Sequence, residues 1–255
     1  MPSGKTIVIK YGGAAMQSDE LKDGVMNDVA SLAAAGNHVV LVHGGGPDLS
    51  AFQKKLGKEP RFVDGLRYTD EETIDAALMV LCGKVNKDLV RRIGQSAVGI
   101  SGIDGGALLC SRRTDPDIGY VGEIREVDTG LLRTLIGAGY IPVVSTIGIG
   151  EDGLAYNINA DTAAGKIAVS LSADLFVTMT DVPGVLNDLG ELIPEIMTSD
   201  VEGLIDSGVI SGGMIPKARG LADAVQNGVG SALIIDGRAP HAIKELNAGT
   251  RFTDG

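Results

Sequence analysis

The chain has 255 residues, of which 44% are hydrophobic and 22% charged, and its formal net charge is −11. This balance excludes a disordered chain and suits one large α/β domain or two tightly joined lobes. An acidic chain with no block of basic residues speaks against non-specific nucleic-acid binding, so local groups must hold any bound phosphate.

The amino terminus, Met1-Pro2-Ser3-Gly4-Lys5, lacks the apolar core of a signal peptide, and no 18-residue apolar run follows, so neither export by that route nor a membrane span is expected. Residues 5–10 read as a strand that ends in Lys10-Tyr11-Gly12-Gly13. A helix over 18–35 carries Leu21, Val25, Val29 and Leu32 on one face. The β-branched run 39–42 stops at His43-Gly44-Gly45-Gly46-Pro47, from which a helix runs to about Leu56. Residues 58–68 suggest a hairpin or flap. Thr69 and Glu72 form a capping box for the next helix, with Ile74, Leu78 and Leu81 facing inward. Cys82 and Cys110 are too few for a disulfide framework and form no C-x-x-C pair, which fits a reducing cytoplasm. Short strand-like pieces fill 96–127, a helix lies near 129–138, and 141–144 is a buried strand.

The second half repeats the scheme. A helix near 160–171 precedes the strand 175–179, Asp181-Val182-Pro183-Gly184 is a turn, and Ser199 with Glu202 is a second capping box. A helix follows Pro216, then a strand over 232–235 and a short helix near 240–247. Alternating strands and helices imply a mainly parallel sheet covered on both faces, with its binding surface at the carboxyl edge. No Pro/Ser linker separates the halves, so two lobes on one sheet are expected.

Several of these turns carry chemistry. A strand ending in Lys10 and two glycines lets an anion approach the backbone closely. Lys217, after Gly212-Gly213-Met214-Ile215-Pro216, sits where the helix dipole is already positive, which disfavours a cation by about 0.3–1 kcal/mol unless an anion is present. A phosphoryl group passing between two such corners is the economical reading. The three glycines after His43 leave free N–H groups aimed outward, while His43 itself is expected to orient the loop. Gly148-Ile149-Gly150-Glu151-Asp152-Gly153 matches a dinucleotide fingerprint, with Asp174 at the spacing of a ribose-binding acid. The residues that follow read as extended rather than helical, so 148–153 is taken as a hairpin turn. A Walker loop is absent. Asn157-Ile158-Asn159-Ala160-Asp161 enters a helix with more polar groups than one cap needs, and Asp161 is placed to hold Lys10 and Lys217 by charge-assisted hydrogen bonds. Arg67 is suited to a carboxylate or, equally, to an exposed hairpin.

Together these motifs, with Gly65-Leu66-Arg67, Asp117 to Gly122 and Asp181 to Val185 in the same order, resemble the amino acid kinase family in its acetylglutamate-phosphorylating branch. The resemblance spans about Lys5 to Asp236. It implies a three-layer α/β/α sandwich around a mainly parallel central sheet. Residues 1–172 would form an amino-terminal lobe for N-acetyl-L-glutamate and the dimer contact, and 173–255 a carboxyl-terminal lobe for ATP. By motif, Gly45, Gly46, Arg67 and Asn157 would bind acetylglutamate. Gly12, Gly13, Asp181, Val182, Pro183, Gly184, Val185, Leu186, Val209, Ile210 and Ser211 would line the nucleotide site. Lys10 and Lys217 would stabilise the transferring phosphoryl group, with Asp161 orienting both. Magnesium would arrive with ATP, on phosphate oxygens and water, without a dedicated protein cage. The partners implied are these two substrates and a second copy in a homodimer, with no nucleic acid and no membrane.

The chain departs from its arginine-inhibited relatives in starting its first strand within a few residues of Met1, which argues against a hexamer and against arginine feedback. The tail from Asn247 to Gly255 is less apolar than the family's usual ending, and Thr178, Met179 and Thr180 are more polar than the usual run. Four rivals are weighed. A kinase of carrier-protein-linked aminoadipate or glutamate would use the basic patch Lys54, Lys55, Lys58 and Arg61. An aspartokinase would need a further regulatory domain. A non-catalytic nucleotide or arginine sensor would not need intact Lys10, Asp161 and Lys217. A nicotinamide oxidoreductase would rest on 148–153.

Overall fold

The computed structural model describes residues 4–16, 18–239, 241–246 and 248–255. The residues before Gly4, with Pro240 and Asn247 that bound the last predicted helix, lie outside the described residues. The chain begins with β1 (Thr6–Tyr11), α1 (Asp19–Ala34), β2 (His38–His43), α2 (Gly46–Lys55), β3 (Phe62–Val63), β4 (Leu66–Arg67), α3 (Glu71–Ala77) and α4 (Asn86–Ile93). A π-helical segment, Leu78–Val85, joins α3 to α4. Next come β5 (Ala97–Ser101), β6 (Leu108–Arg112), β7 (Gly122–Val127), α5 (Gly130–Gly137), β8 (Ile141–Ser145), β9 (Ile147–Gly150), β10 (Ala155–Asn157) and α6 (Ala160–Leu171). The second half adds β11 (Leu175–Thr180), β12 (Glu195–Met197), α7 (Val201–Asp206), α8 (Met214–Gln226), β13 (Ala232–Asp236), α9 (Ala242–Glu245) and β14 (Thr250–Thr253).

Eight strands form one sheet in the order β12-β14-β13-β11-β1-β2-β8-β5, parallel throughout except where β14 meets β13. Strand β1 is the pivot. First-half strands extend from its β2 side and second-half strands from its β11 side, so the strand order reverses there and a crevice opens beyond the carboxyl ends.

The period-two alternation of β1 divides its side chains between the two faces. Ile7, Ile9 and Tyr11 pack with Val25, Val29 and Leu89 of α1 and α4. Val8 packs with Leu132, Ile167 and Leu221 of α5, α6 and α8. Helices therefore cover both faces, and the molecule is an α/β/α sandwich. By the same parity Lys10 points to the α6 side.

Two smaller sheets flank this core: β10-β9-β6-β7, and the β3–β4 hairpin that corresponds to the predicted flap. The segment 148–153 is the end of β9 and the turn that leads into the antiparallel β10, and Asp174 accepts from Thr6 N at 2.7 Å, so neither belongs to a dinucleotide site.

Neither predicted capping box forms. Asp70, not Thr69, caps α3 by accepting from Thr73 N, and Glu72 pairs with Lys58 instead of the backbone. Ser199 lies in a 3₁₀ turn and Glu202 binds Arg219. The tail expected to stray from pattern forms β14, with Thr250 and Phe252 buried.

Candidate active site

Adjacent strands β1 and β2 place their two glycine turns side by side. Gly44 N donates to Tyr11 O at 3.0 Å. A Cβ added at Gly12 would stand 3.7 Å from Lys10 Nζ and 3.8 Å from Gly44 N. Gly45 has φ +150, and a side chain there would meet Leu81 Cδ2 at 2.7 Å, so only glycine fits.

His43, fully buried, sets this turn. Its Nδ1 lies 2.7 Å from Gly44 O and its Nε2 3.1 Å from Asn86 Nδ2. Nδ1–H therefore donates and Nε2 accepts. Burial pushes its pKa down to about 4, so the ring is neutral at physiological pH and has no free nitrogen to act as a base.

At the mouth of the crevice, Asp161 joins the two lysines. Lys10 Nζ is 3.1 Å from Oδ1 and Lys217 Nζ is 3.5 Å from Oδ2. Three elements converge to make this contact. Lys10 closes β1 on its α6 face. Asp161 lies in the first turn of α6, which Asn159 caps by accepting from Asp161 N and Thr162 N at 2.9 and 3.1 Å. Lys217 lies in the first turn of α8, just after Pro216. Burial alone would raise the Asp161 carboxyl, but the two ammonium charges outweigh it and hold the carboxyl below the usual carboxylate value. The cluster carries a net positive charge, and Lys10 is only 8% exposed.

Beyond the glycine turn lies a cleft of about 170 Å³, lined by Gly45, Gly46, Phe62, Arg67, Asn157 and Asn159 among others. Arg67 is buried at its wall. It donates to Gly46 O at 3.0 Å, to Ser50 Oγ at 2.8 Å and to Gln53 Oε1, and its guanidinium carbon stands 4.8 Å from the Phe62 ring centre. Burial lowers its pKa from the usual guanidinium value. Asn157 donates to Thr69 Oγ1 at 3.3 Å, and Thr69 in turn donates to Arg67 O at 2.9 Å, which ties both cleft residues to one buried hydroxyl. An uncompensated guanidinium beside two asparagines is suited to a carboxylate.

The residues predicted for a nucleotide divide by exposure. Asp181, Pro183, Leu186 and Ser211 are exposed, and Val182 and Val209 half-buried. Val185 and Ile210 are buried in one apolar cluster, so their side chains brace the loops and leave contacts to backbone and neighbours. Gly184, with φ +153, is held where a Cβ would meet Thr250 Oγ1 at 2.5 Å, and Val185 N donates to that same hydroxyl at 2.8 Å. Residues 209–213 form the turn that opens α8, with Met214 N bonded to Ser211 O at 3.1 Å, so they lead directly to Lys217. Gly13, with φ +64, starts a 3₁₀ turn after β1.

Sequence reasoning missed Ser50, Gln53 and Phe62, which hold Arg67. Nothing in an amphipathic helix or a two-residue strand singles them out. The basic patch on the flap side is partly neutralised, since Lys58 pairs with Asp70 and Glu72 and Lys54 with Glu59.

A profile of the amino acid kinase family matches residues 5–236. Acetylglutamate kinase of Brachyspira hyodysenteriae is 52% identical over 248 residues, covering 94% of this chain and 86% of that protein. The enzyme of the same name from Clostridioides difficile is 50% identical over 246 residues, with the same two shares. Among solved structures, N-acetylglutamate synthase from Neisseria gonorrhoeae, complexed with coenzyme A and N-acetyl-glutamate, superposes with a TM-score of 0.87 at 25% identity, over 99% of this chain and 60% of that one. Carbamate kinase from Giardia lamblia, at 18% identity and a TM-score of 0.73 over the full length of both chains, shares the fold. With the family pattern running from the first strand to the end of β13, and the sheet, glycine turns and paired lysines in place, the chain belongs to the amino acid kinase family.

Proposed function

We propose that this protein transfers the γ-phosphoryl group of ATP to the side-chain carboxylate of N-acetyl-L-glutamate, giving N-acetylglutamyl 5-phosphate, the second step of arginine biosynthesis. The observation that carries this reading is Asp161 bridging Lys10 and Lys217 beside a cleft whose Arg67 has only neutral partners. Close relatives named for this activity support it.

The nucleophile needs no base. A side-chain carboxylate has a reference pKa of about 4.3 and is ionised at neutral pH. One of its oxygens forms a bond to the γ-phosphorus as the bond from that phosphorus to the β-bridging oxygen breaks, and ADP leaves with the electron pair. Alignment and charge neutralisation then supply the catalysis. Arg67 and Asn157 hold the α-carboxylate, and Gly45 and Gly46 offer their backbone to the acceptor, while the Gly44 N–H donates to Tyr11 O. Lys10 lies between the attacking oxygen and the transferring group. Lys217 offsets charge growing on the leaving oxygen. Asp161 offsets the repulsion between the two ammonium groups and holds both at the same space.

Magnesium, when bound, would neutralise phosphate charge. Among the described residues no three His, Cys, Asp or Glu side chains gather into a cage, and Asp161 is engaged by the lysines, so phosphate oxygens and water are the suitable ligands. In this reading the loops over 181–186 and 209–211 hold the nucleotide, residues 1–172 and 173–255 act as acceptor and nucleotide lobes, and the enzyme works as a cytoplasmic homodimer.

Trapping with hydroxylamine tests the reading, since an acyl phosphate yields a hydroxamate. Incubation with ATP and magnesium is expected to give hydroxamate from N-acetyl-L-glutamate and little from aspartate or glutamate. Equal or greater yield from either free amino acid would overturn the substrate assignment.

A further inference from the structure

Two arginines with little-exposed side chains are treated in opposite ways in this protein. Arg92 is surrounded by three carboxylates, with Asp19 and Asp23 at 2.6 Å and Asp88 at 2.9 Å. Arg67 is buried as a whole residue, at 8% exposure, and among the described residues no acid lies within ion-pair distance of it. Its hydrogen-bond acceptors are a backbone carbonyl, a hydroxyl and an amide, all neutral. Leaving a buried charge uncancelled is unfavourable in the empty protein. The arrangement keeps the whole guanidinium charge available to an anion arriving in the cleft.

Gln53 is the buried member of that neutral shell. It is 3% exposed, and both ends of its amide are engaged. A guanidinium nitrogen can only donate, so the amide atom facing Arg67 is the carbonyl oxygen. The amide nitrogen donates to Thr73 Oγ1 at 3.0 Å, and Thr73 is itself fixed in the first turns of α3, with its N–H on Asp70. Gln53 thereby joins α2 to α3 and fixes the guanidinium that the Phe62 ring covers from the flap.

We propose that Gln53 is a positioning residue for Arg67, holding the guanidinium at the cleft wall while leaving its charge uncancelled, and so setting the affinity for the acceptor's α-carboxylate. This rests on the reading of Arg67 as the acceptor's anchor. Gln53→Glu preserves shape and the acceptor to Arg67, and the Thr73 hydroxyl can turn to donate to the second oxygen. What it changes is charge. Gln53→Leu removes the hydrogen bonds and keeps the charge.

The test measures kcat, the KM for N-acetyl-L-glutamate, the KM for ATP and the melting temperature of the wild type and both variants. Gln53→Glu is expected to raise the KM for acetylglutamate about tenfold or more, with a smaller rise in Gln53→Leu and little change in the KM for ATP. A residue that merely packed two helices would give the reverse order, because Glu retains the hydrogen bonds. That reverse order, or an effect of Gln53→Glu confined to melting or to ATP, overturns the proposal. Ser50→Asp places a carboxylate on the same guanidinium from its half-buried side and serves if Gln53→Glu does not fold. An unchanged KM for acetylglutamate there also overturns it. A wild type that forms no product from acetylglutamate removes the functional reading and this proposal together, whereas an active wild type with the reverse order removes only the role of Gln53.

Discussion

Lys217 occupies the first turn of α8, where the helix dipole disfavours a cation, and its contact with Asp161 at 3.5 Å is the longer of the two. Opposed by the dipole and paired with Asp161 only at this longer distance, the side chain contributes little net stability. On the proposed reading its value lies in the phosphoryl group it meets during turnover. Lys217→Ala is therefore expected to leave urea-induced unfolding unchanged or slightly delayed while kcat falls on the order of 100-fold or more. A variant whose KM values rise with kcat intact would assign Lys217 to ground-state binding. His43 shows the opposite logic: a histidine beside three glycines invites a catalytic role, yet its two nitrogens are both engaged and burial keeps it neutral.

At the scale of elements, the turns of the candidate site stand out in the sequence because each overshoots its structural need. Three glycines exceed what one turn requires, and the run 157–161 holds more polar groups than one cap. The structure divides that run cleanly. Asn159 caps α6, which frees Asn157 for the cleft and Asp161 for the lysines. Removing the cap by Asn159→Ala should lower stability by about 1 kcal/mol, read from the urea midpoint, and also reduce kcat because the first turn of α6 carries Asp161. An unchanged midpoint would mean that the turn is held from elsewhere.

The misreadings have a physical cause as well. A Ser/Thr-x-x-Glu pattern marks a helix start only if the hydroxyl faces its own backbone, and Thr69 instead turns inward to Arg67 O and Asn157. Asp70, one residue on, takes over the cap. Strands β12 and β14 have three and four residues, too few for an alternation to be visible, and their place is given by pairing, β14 with the preceding β13 and β12 with the distant β14. The neutral shell of Arg67 was hidden for the same reason, since the opposition between Arg67 and Arg92 exists only in three dimensions.

For the whole molecule, the single eight-stranded sheet runs through both halves, with β1 bonded to β2 on one side and β11 on the other. Neither half can separate without breaking the centre of the sheet. All five tyrosines precede residue 173, so their emission reports the first half alone, whereas far-ultraviolet dichroism reports every helix. The two signals should follow one urea transition, and a tyrosine midpoint displaced from the dichroism midpoint would show that the halves unfold separately. The central position of β1 also bears on biosynthesis. This strand leaves the ribosome well before its β11 partner, since Ile7 pairs with Leu175, 168 residues later. At ordinary elongation rates one flank of the nascent strand stays unpaired on the order of ten seconds or more. An apolar ribbon exposed for that long is a template for wrong partners, so the placing of β1 at the sheet's centre carries a hazard during synthesis that the finished fold does not show.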